Sequence, residues 1–354
     1  MKKILTLSFS LIFICVLFGF SHQTHAKEFD SYTIGEIEQK LLNYFEEGNI
    51  DIEIGSEEFI DYLVLQLLED KDENLAKHPD YELILFYAGE YLYELENAQA
   101  ENPEEFIQTS LASKKINKEK FNLKHISKKT IKQIKKEIKE QDEADKALEE
   151  EVEAEKNKKG KNKNKNSDVS SLSDSSATKT LMAYSGTNAA NYAKQWATKT
   201  NPNFNRYPYN CTNFVSQAVN AGGKAERKPS SIPSGDYATT SYWYNDAYYA
   251  CTGSNSCYWR KKAATSWIRV IDFYSYWTKQ GMSAVTSSSQ STIISNAIVG
   301  DVVQFRKSDG RWFHSVLVNR KANGTIYIAS NTSDYYDKNF KNTSENMYRV
   351  IKMR

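Results

Sequence analysis

Charge is distributed so unevenly along this 354-residue chain that we expect it to fold as separate acidic and basic units. Residues 27–112 carry four lysines and 23 acidic residues, a net charge of −19. Residues 169–354 carry 22 lysines and arginines and 10 acidic residues, a net charge of +12. Because the two units have opposite signs, an intramolecular contact in which the acidic unit covers the basic one is a hypothesis resting on charge alone.

The first 26 residues have the pattern of a secretory signal peptide. Lys2 and Lys3 precede an apolar run from Ile4 to Phe20, and the small residue Ala26 marks the expected cleavage site. A retained membrane anchor is the alternative, although the run is short for a bilayer span. No second apolar stretch is long enough to cross a membrane. The sequence therefore predicts a protein secreted to the cell wall or beyond, without a membrane span after cleavage.

Three further segments follow the predicted signal peptide. In residues 27–115, apolar side chains recur at helical spacing between acidic ones, which predicts an all-α bundle with a solvated negative surface. Residues 116–180 predict a charged, solvated helical spacer and then a flexible linker rich in Lys, Asn and Ser. Residues 181–354 are rich in Tyr, Trp and Asn and form the third unit.

The third unit predicts an α+β fold, with helices followed by an antiparallel sheet. Helical spacing or β-rich composition marks each predicted element. The helices are 189–196, 211–221 and 266–279, and the strands are 301–305, 312–318, 325–329 and 348–352.

Cys211 is the candidate nucleophile. It stands at the start of the predicted helix 211–221, where the helix dipole favours a thiolate over a thiol. Cys251 and Cys257 are separated by five small or polar residues, so they are the natural disulfide partners and leave Cys211 free. A buried structural cysteine is the alternative. A zinc site is disfavoured because paired cysteine spacing is absent and histidines are few.

His314 is the candidate base, since it is the one histidine of the third unit. It lies on the predicted strand 312–318, and a satisfied core histidine is the alternative. The base needs an acceptor to orient its ring. Asn331, just beyond the next strand, is the first candidate, and Asp334 is the rival. A simple turn would also explain Asn331-Thr-Ser-Asp.

Several motifs together resemble a known family. They are Asn210-Cys-Thr-Asn-Phe-Val-Ser-Gln followed by Gly222-Gly, Gly300-Asp-Val-Val-Gln, His314-Ser-Val and Tyr327-Ile-Ala-Ser-Asn-Thr. They resemble an amidase domain family related to the papain-like CHAP and NlpC/P60 cell-wall hydrolases. The resemblance covers about residues 184–352. It implies a papain-like cysteine hydrolase fold, with Cys211 as nucleophile and His314 as base. No cofactor and no metal are assigned from the sequence.

This combination predicts a secreted, cysteine-dependent amide hydrolase with a Cys211–His314–Asn331 site. The expected substrate is peptidoglycan or another anionic cell-wall polymer, which suits an exported basic domain. Nucleic acid is not an expected partner, because the basic residues are scattered. The alternative is an inactive wall-binding protein that retains the fold. It is motivated by Asn210, where the resembled family usually has Asp, and by Asn331, where it often has His.

Overall fold

The computed structural model describes residues 27–101, 121–163, 184–231, 238–251, 257–307 and 310–354. The predicted signal peptide and residues 164–183 of the predicted linker lie outside the described residues. Within the described ranges, the fold is α+β with antiparallel sheets, as the sequence predicts. None of the helices in these ranges is both long enough and apolar enough to cross a membrane.

The helices and strands follow one another in two blocks. The helices of the acidic N-terminal region are α1 (Ile34–Gly48), α2 (Glu57–Glu69), α3 (Tyr81–Glu101) and α4 (Ile131–Lys163). The C-terminal domain contains α5 (Gly186–Trp196), α6 (Cys211–Ala221), β1 (Asn245–Cys251), β2 (Cys257–Ala263), α7 (Thr265–Ile268), α8 (Val270–Lys279), β3 (Ala284–Ser287), α9 (Gln290–Asn296), β4 (Val302–Arg306), β5 (Trp312–Ala322), β6 (Thr325–Ser330), β7 (Tyr335–Asn339) and β8 (Met347–Ile351).

The main sheet is antiparallel throughout, with strand order β3-β8-β4-β5-β6-β7. Strand β5 is therefore interior, paired with β4 on one side and β6 on the other. Helices α5, α6 and α8 pack on β5. This arrangement places the start of α6 beside the middle of β5.

Strands β1 and β2 form a separate antiparallel pair. Its register sets Cys251 directly opposite Cys257. Opposed residues of an antiparallel pair have Cα separations of about 4.5–5.5 Å, which a disulfide can bridge. The side chains of both cysteines lie outside the described part of the structure, so the disulfide stays a prediction.

Capping residues fix where the first two helices begin. Thr33 and Glu36 form a reciprocal capping box at the start of α1, and Ser56 accepts the Phe59 N–H at the start of α2. Helix α3 differs because it is buried on nearly every side, with α1 and α2 on one side and the C-terminal domain on another. Its carboxyl groups Glu90 and Glu96 are each about 2% exposed. The prediction of a solvated acidic surface is therefore wrong for these two residues.

Helix α4 is not the solvated spacer that its composition predicts. Ile131, Ile134 and Ile138 are buried in the core of the acidic region. Further along α4, Asp145 accepts from Arg349 of β8 at 3.0 Å, with only 2% of the Arg349 side chain exposed. Helix α4 packs against both regions because its acidic side chains pair with arginines of the C-terminal domain that lie far away in sequence.

Two glycines set the close approach of α5 to the sheet. Gly300 has φ +89°, and a Cβ there would lie 2.3 Å from the Gly186 Cα. A Cβ on Gly186 would lie 2.0 Å from the carbonyl oxygen of Val299. Only glycine fits this contact, which joins the start of α5 to the turn before β4.

Candidate active site

Cys211 is the first residue of α6 and is fully buried. Asn210, before it, makes no side-chain cap to the helix. Its Oδ1 accepts from the Tyr207 N–H at 3.1 Å, and its Nδ2 donates to the Asn331 Oδ1 at 2.6 Å. Asn210 therefore pins the chain just before the cysteine, and the helix start is formed without a side-chain cap.

The Cys211 sulfur lies among polar groups of α6 and β5. The Thr212 hydroxyl is 3.7 Å from Sγ. Thr212 Oγ1 lies 3.1 Å from Ser315 Oγ, which joins the helix start to the strand. The Tyr209 hydroxyl donates to the carbonyl of Phe313, the residue before His314.

His314 lies on β5, directly before Ser315, and is also fully buried. Its Nε2 is 3.5 Å from the Tyr335 hydroxyl of β7. Its Nδ1 has no hydrogen-bond partner among the described residues. Because the hydroxyls of Thr212 and Ser315 lie 3.1 Å apart, the residue after Cys211 contacts the residue after His314, and the predicted nucleophile and the predicted base lie on neighbouring buried elements.

Burial makes both groups neutral in this state. It raises the pKa of Cys211 to about 12, and the charge of Glu96 acts in the same direction. Burial also lowers the pKa of His314 to about 3. Burial thus acts against the thiolate that the start of a helix favours, and the thiolate of Cys211 stays a prediction.

The structure does not bring Asn331 to the His314 ring. The Asn331 Oδ1 accepts from Arg206 at 2.7 Å as well as from Asn210, and its Nδ2 donates to the Ala197 carbonyl at 3.0 Å. Its described contacts thus hold the loop before Cys211. The rival Asp334 is exposed at the surface.

Glu96 of α3 is a neighbour of the site that sequence reasoning missed. Its Oε2 accepts from the Val270 N–H at 3.0 Å, and its Oε1 is 3.5 Å from the Thr212 hydroxyl. Burial is the main cause that raises the pKa of Glu96 to about 8. No local signal marks it, since it is one of many acidic residues at helical spacing.

A cysteine at a helix start and a histidine on a neighbouring strand are residue types that acyl transfer uses as nucleophile and base. Residues 183–353 match the family model described as "Putative amidase domain". We call this part of the chain the amidase domain.

The chain is also similar to two proteins of Bacillus subtilis (strain 168), both named as uncharacterized. It is 29% identical to YjcM over 163 residues, which cover 43% of this chain and 31% of YjcM. It is 28% identical to YhbB over 148 residues, which cover 42% of this chain and 40% of YhbB. The chain thus spans less than half the length of these curated relatives. No solved structure matches it.

Proposed function

We propose that the amidase domain is a papain-like thiol hydrolase that cleaves amide bonds by acyl transfer through Cys211. The observation that carries the proposal is the burial of Cys211 and His314 on two packed elements, α6 and β5, inside the region matched by the amidase model. Cys211 begins α6, and His314 precedes Ser315, whose hydroxyl lies 3.1 Å from that of Thr212.

In the proposed reaction, His314 takes the thiol proton of Cys211, and the thiolate sulfur bonds to the amide carbonyl carbon. The backbone N–H of Cys211, at the start of α6, is placed to stabilise the oxyanion. His314 returns the proton to the leaving nitrogen as the C–N bond breaks, which leaves a thioester. His314 then takes a proton from water, and the resulting hydroxide releases the acyl group as a carboxylic acid and restores the thiol.

Tyr335 takes the orienting position that the sequence assigned to Asn331 or Asp334. Its hydroxyl lies 3.5 Å from His314 Nε2 in the buried state. Burial raises the pKa of Tyr335 above its ordinary value, so its hydroxyl remains a neutral hydrogen-bonding group. It holds the ring without adding a charge next to it.

The proposed substrate is an amide bond of cell-wall peptidoglycan, met outside the cell. The predicted signal peptide and the +12 charge of residues 169–354 support an exported domain that approaches an anionic polymer. A wall-binding protein without activity is the second candidate. The observation that favours it is the complete burial of Cys211 and His314 as a neutral pair.

The test uses the mature chain, residues 27–354, on purified Gram-positive cell walls. Release of new amino groups is measured beside Cys211→Ala and His314→Ala variants. The hydrolase predicts release by the wild type that both substitutions abolish. Release that survives Cys211→Ala would refute the mechanism, and wall binding without any release by a chain whose Cys211 thiol is accessible to alkylation would favour the second candidate.

A further inference from the structure

Helix α3 contacts the chain on both sides of Cys211. The Gln99 amide, oriented to satisfy both of its partners, accepts from the Tyr209 N–H at 3.1 Å and donates to the Tyr209 carbonyl at 3.2 Å. Glu96 bonds Thr212, the residue after Cys211, and the N–H of Val270. Gln99 and Glu96 of α3 therefore hydrogen-bond to polar groups within two residues of the nucleophile in sequence.

The backbone groups that α3 contacts are of the kind that hydrogen-bond to peptides. The Gln99 amide hydrogen-bonds to both the N–H and the C=O of Tyr209. An extended peptide makes the same pair of backbone hydrogen bonds with a residue at a strand edge. Beside them, Arg269 donates to the Asn97 side-chain carbonyl. Arg269 also lowers the pKa of Glu96, against the larger effect of burial. The face around Cys211 thus offers the N–H and C=O of Tyr209, the N–H of Val270 and the guanidinium of Arg269 as hydrogen-bonding groups.

A buried ion pair fastens α3 at a second point. Glu90 accepts from Arg311 Nε at 3.0 Å and from its Nη2 at 3.3 Å, and the Arg311 side chain is 7% exposed. Next to this pair, a cavity of about 460 Å³ lies between α3 and the amidase domain and is lined in part by Phe86 and Phe313. Apolar side chains of α3 and of the amidase domain share one core elsewhere, so at this seam polar contacts and an incompletely filled space interrupt the apolar packing.

We propose that α3 lies in the peptide-binding cleft of the amidase domain and inhibits it within the chain, with Glu96, Asn97 and Gln99 standing where the polar groups of a peptide substrate bind. The inference rests on the proposed function and adds to it a substrate class and a resting state. Peptides, and not the sugar part of the wall, are recognised beside Cys211. The chain becomes active when α3 leaves the cleft.

The experiment measures alkylation of Cys211 by N-ethylmaleimide in the full mature chain, with the modified residue identified by mass spectrometry. Glu90→Lys sets a lysine against Arg311 and opens the seam. Breaking one side of a buried ion pair shifts such an equilibrium by about two to three powers of ten, so we expect alkylation to accelerate by about 100-fold or more. Equal rates in the wild type and Glu90→Lys would overturn the proposal.

Two variants separate opening from unfolding. Glu101→Lys makes the same charge change at an exposed position of α3 and should leave the rate slow. Arg311 also bonds Glu137 at 3.1 Å, so adding Arg311→Glu and Glu137→Lys to Glu90→Lys restores both ion pairs with reversed signs and should slow the reaction again. Fast alkylation in Glu101→Lys, or no slowing in the triple variant, would count against docking of α3 as the cause.

Substrate class is tested by protection in the Glu90→Lys variant. A tetrapeptide prepared from the wall should slow alkylation of Cys211, whereas the wall disaccharide at equal concentration should not. Protection by the sugar alone, or by neither probe, would overturn the assignment of the cleft. Alkylation needs no turnover, so an opened and peptide-protected Cys211 that cleaves no wall amide would refute the proposed function and leave this inference standing.

Discussion

Replacing Glu96 with glutamine should stabilise the folded chain, and the gain should depend on pH. Glu96 is 2% exposed, and burial is the main cause that raises its pKa from 4.5 to about 8. Between these two values the folded state keeps a proton that the unfolded state releases, so stability falls as pH rises. Glutamine has no such proton, and its amide can accept from the Val270 N–H and donate to the Thr212 hydroxyl.

The size of the stability difference follows from the pKa shift of Glu96. The wild type should be less stable than Glu96→Gln by about 4 kcal/mol at pH 8, with the pH-dependent difference vanishing near pH 4. Urea denaturation followed by tryptophan fluorescence at pH 4, 6 and 8 measures it. Glu101→Gln, an exposed change on the same helix, is the matched control and should track the wild type. A difference between Glu96→Gln and the wild type that stays constant over this range would refute a buried Glu96.

Two further substitutions, Gly300→Ala and Asp145→Ala, test contacts that stabilise the amidase domain. Gly300→Ala should destabilise by about 2 kcal/mol, because its Cβ would lie 2.3 Å from the Gly186 Cα, and a clearly lower melting temperature checks it. Gly324→Ala, also at positive φ but with open space around it, should cost less. Asp145→Ala should cost about 3–5 kcal/mol because it leaves Arg349 buried without its carboxylate, and adding Arg349→Met should recover most of the loss in urea denaturation.

Local patterns were enough to predict much of the amidase domain. Helix α6 has the bounds that its apolar spacing and terminal glycines predict, and His314 lies on a strand as expected. Other elements depend on contacts that no local pattern carries. The predicted helix 266–279 is broken at Arg269, which is extended with ψ 136°. There, the Val270 N–H bonds Glu96 from a distant part of the chain. The short strands β3 and β7 were not predicted, because each forms by pairing with a neighbouring strand of the sheet and carries no strong pattern of its own.

The candidate site was predicted in part. The sequence selects Cys211 and His314 as candidates because Cys211 stands at a helix start and His314 is the one histidine of its domain, and their catalytic roles stay predictions. Asn331 was assigned by chain order to a role for which its described contacts provide no support, since its amide is used by Arg206 and Asn210. Charge alone suggested that the acidic region covers the basic one. It could not select Glu96, whose nearest contacts lie more than a hundred residues away in sequence.

The most direct test of the account is amide cleavage by the opened chain. Purified cell walls are incubated with Glu90→Lys, and new amino groups are counted beside the same variant carrying Cys211→Ala. We predict release by Glu90→Lys that exceeds that of the wild type and disappears when Cys211 is replaced. Equal release with and without the Cys211 thiol would contradict the assignment of Cys211 as the nucleophile.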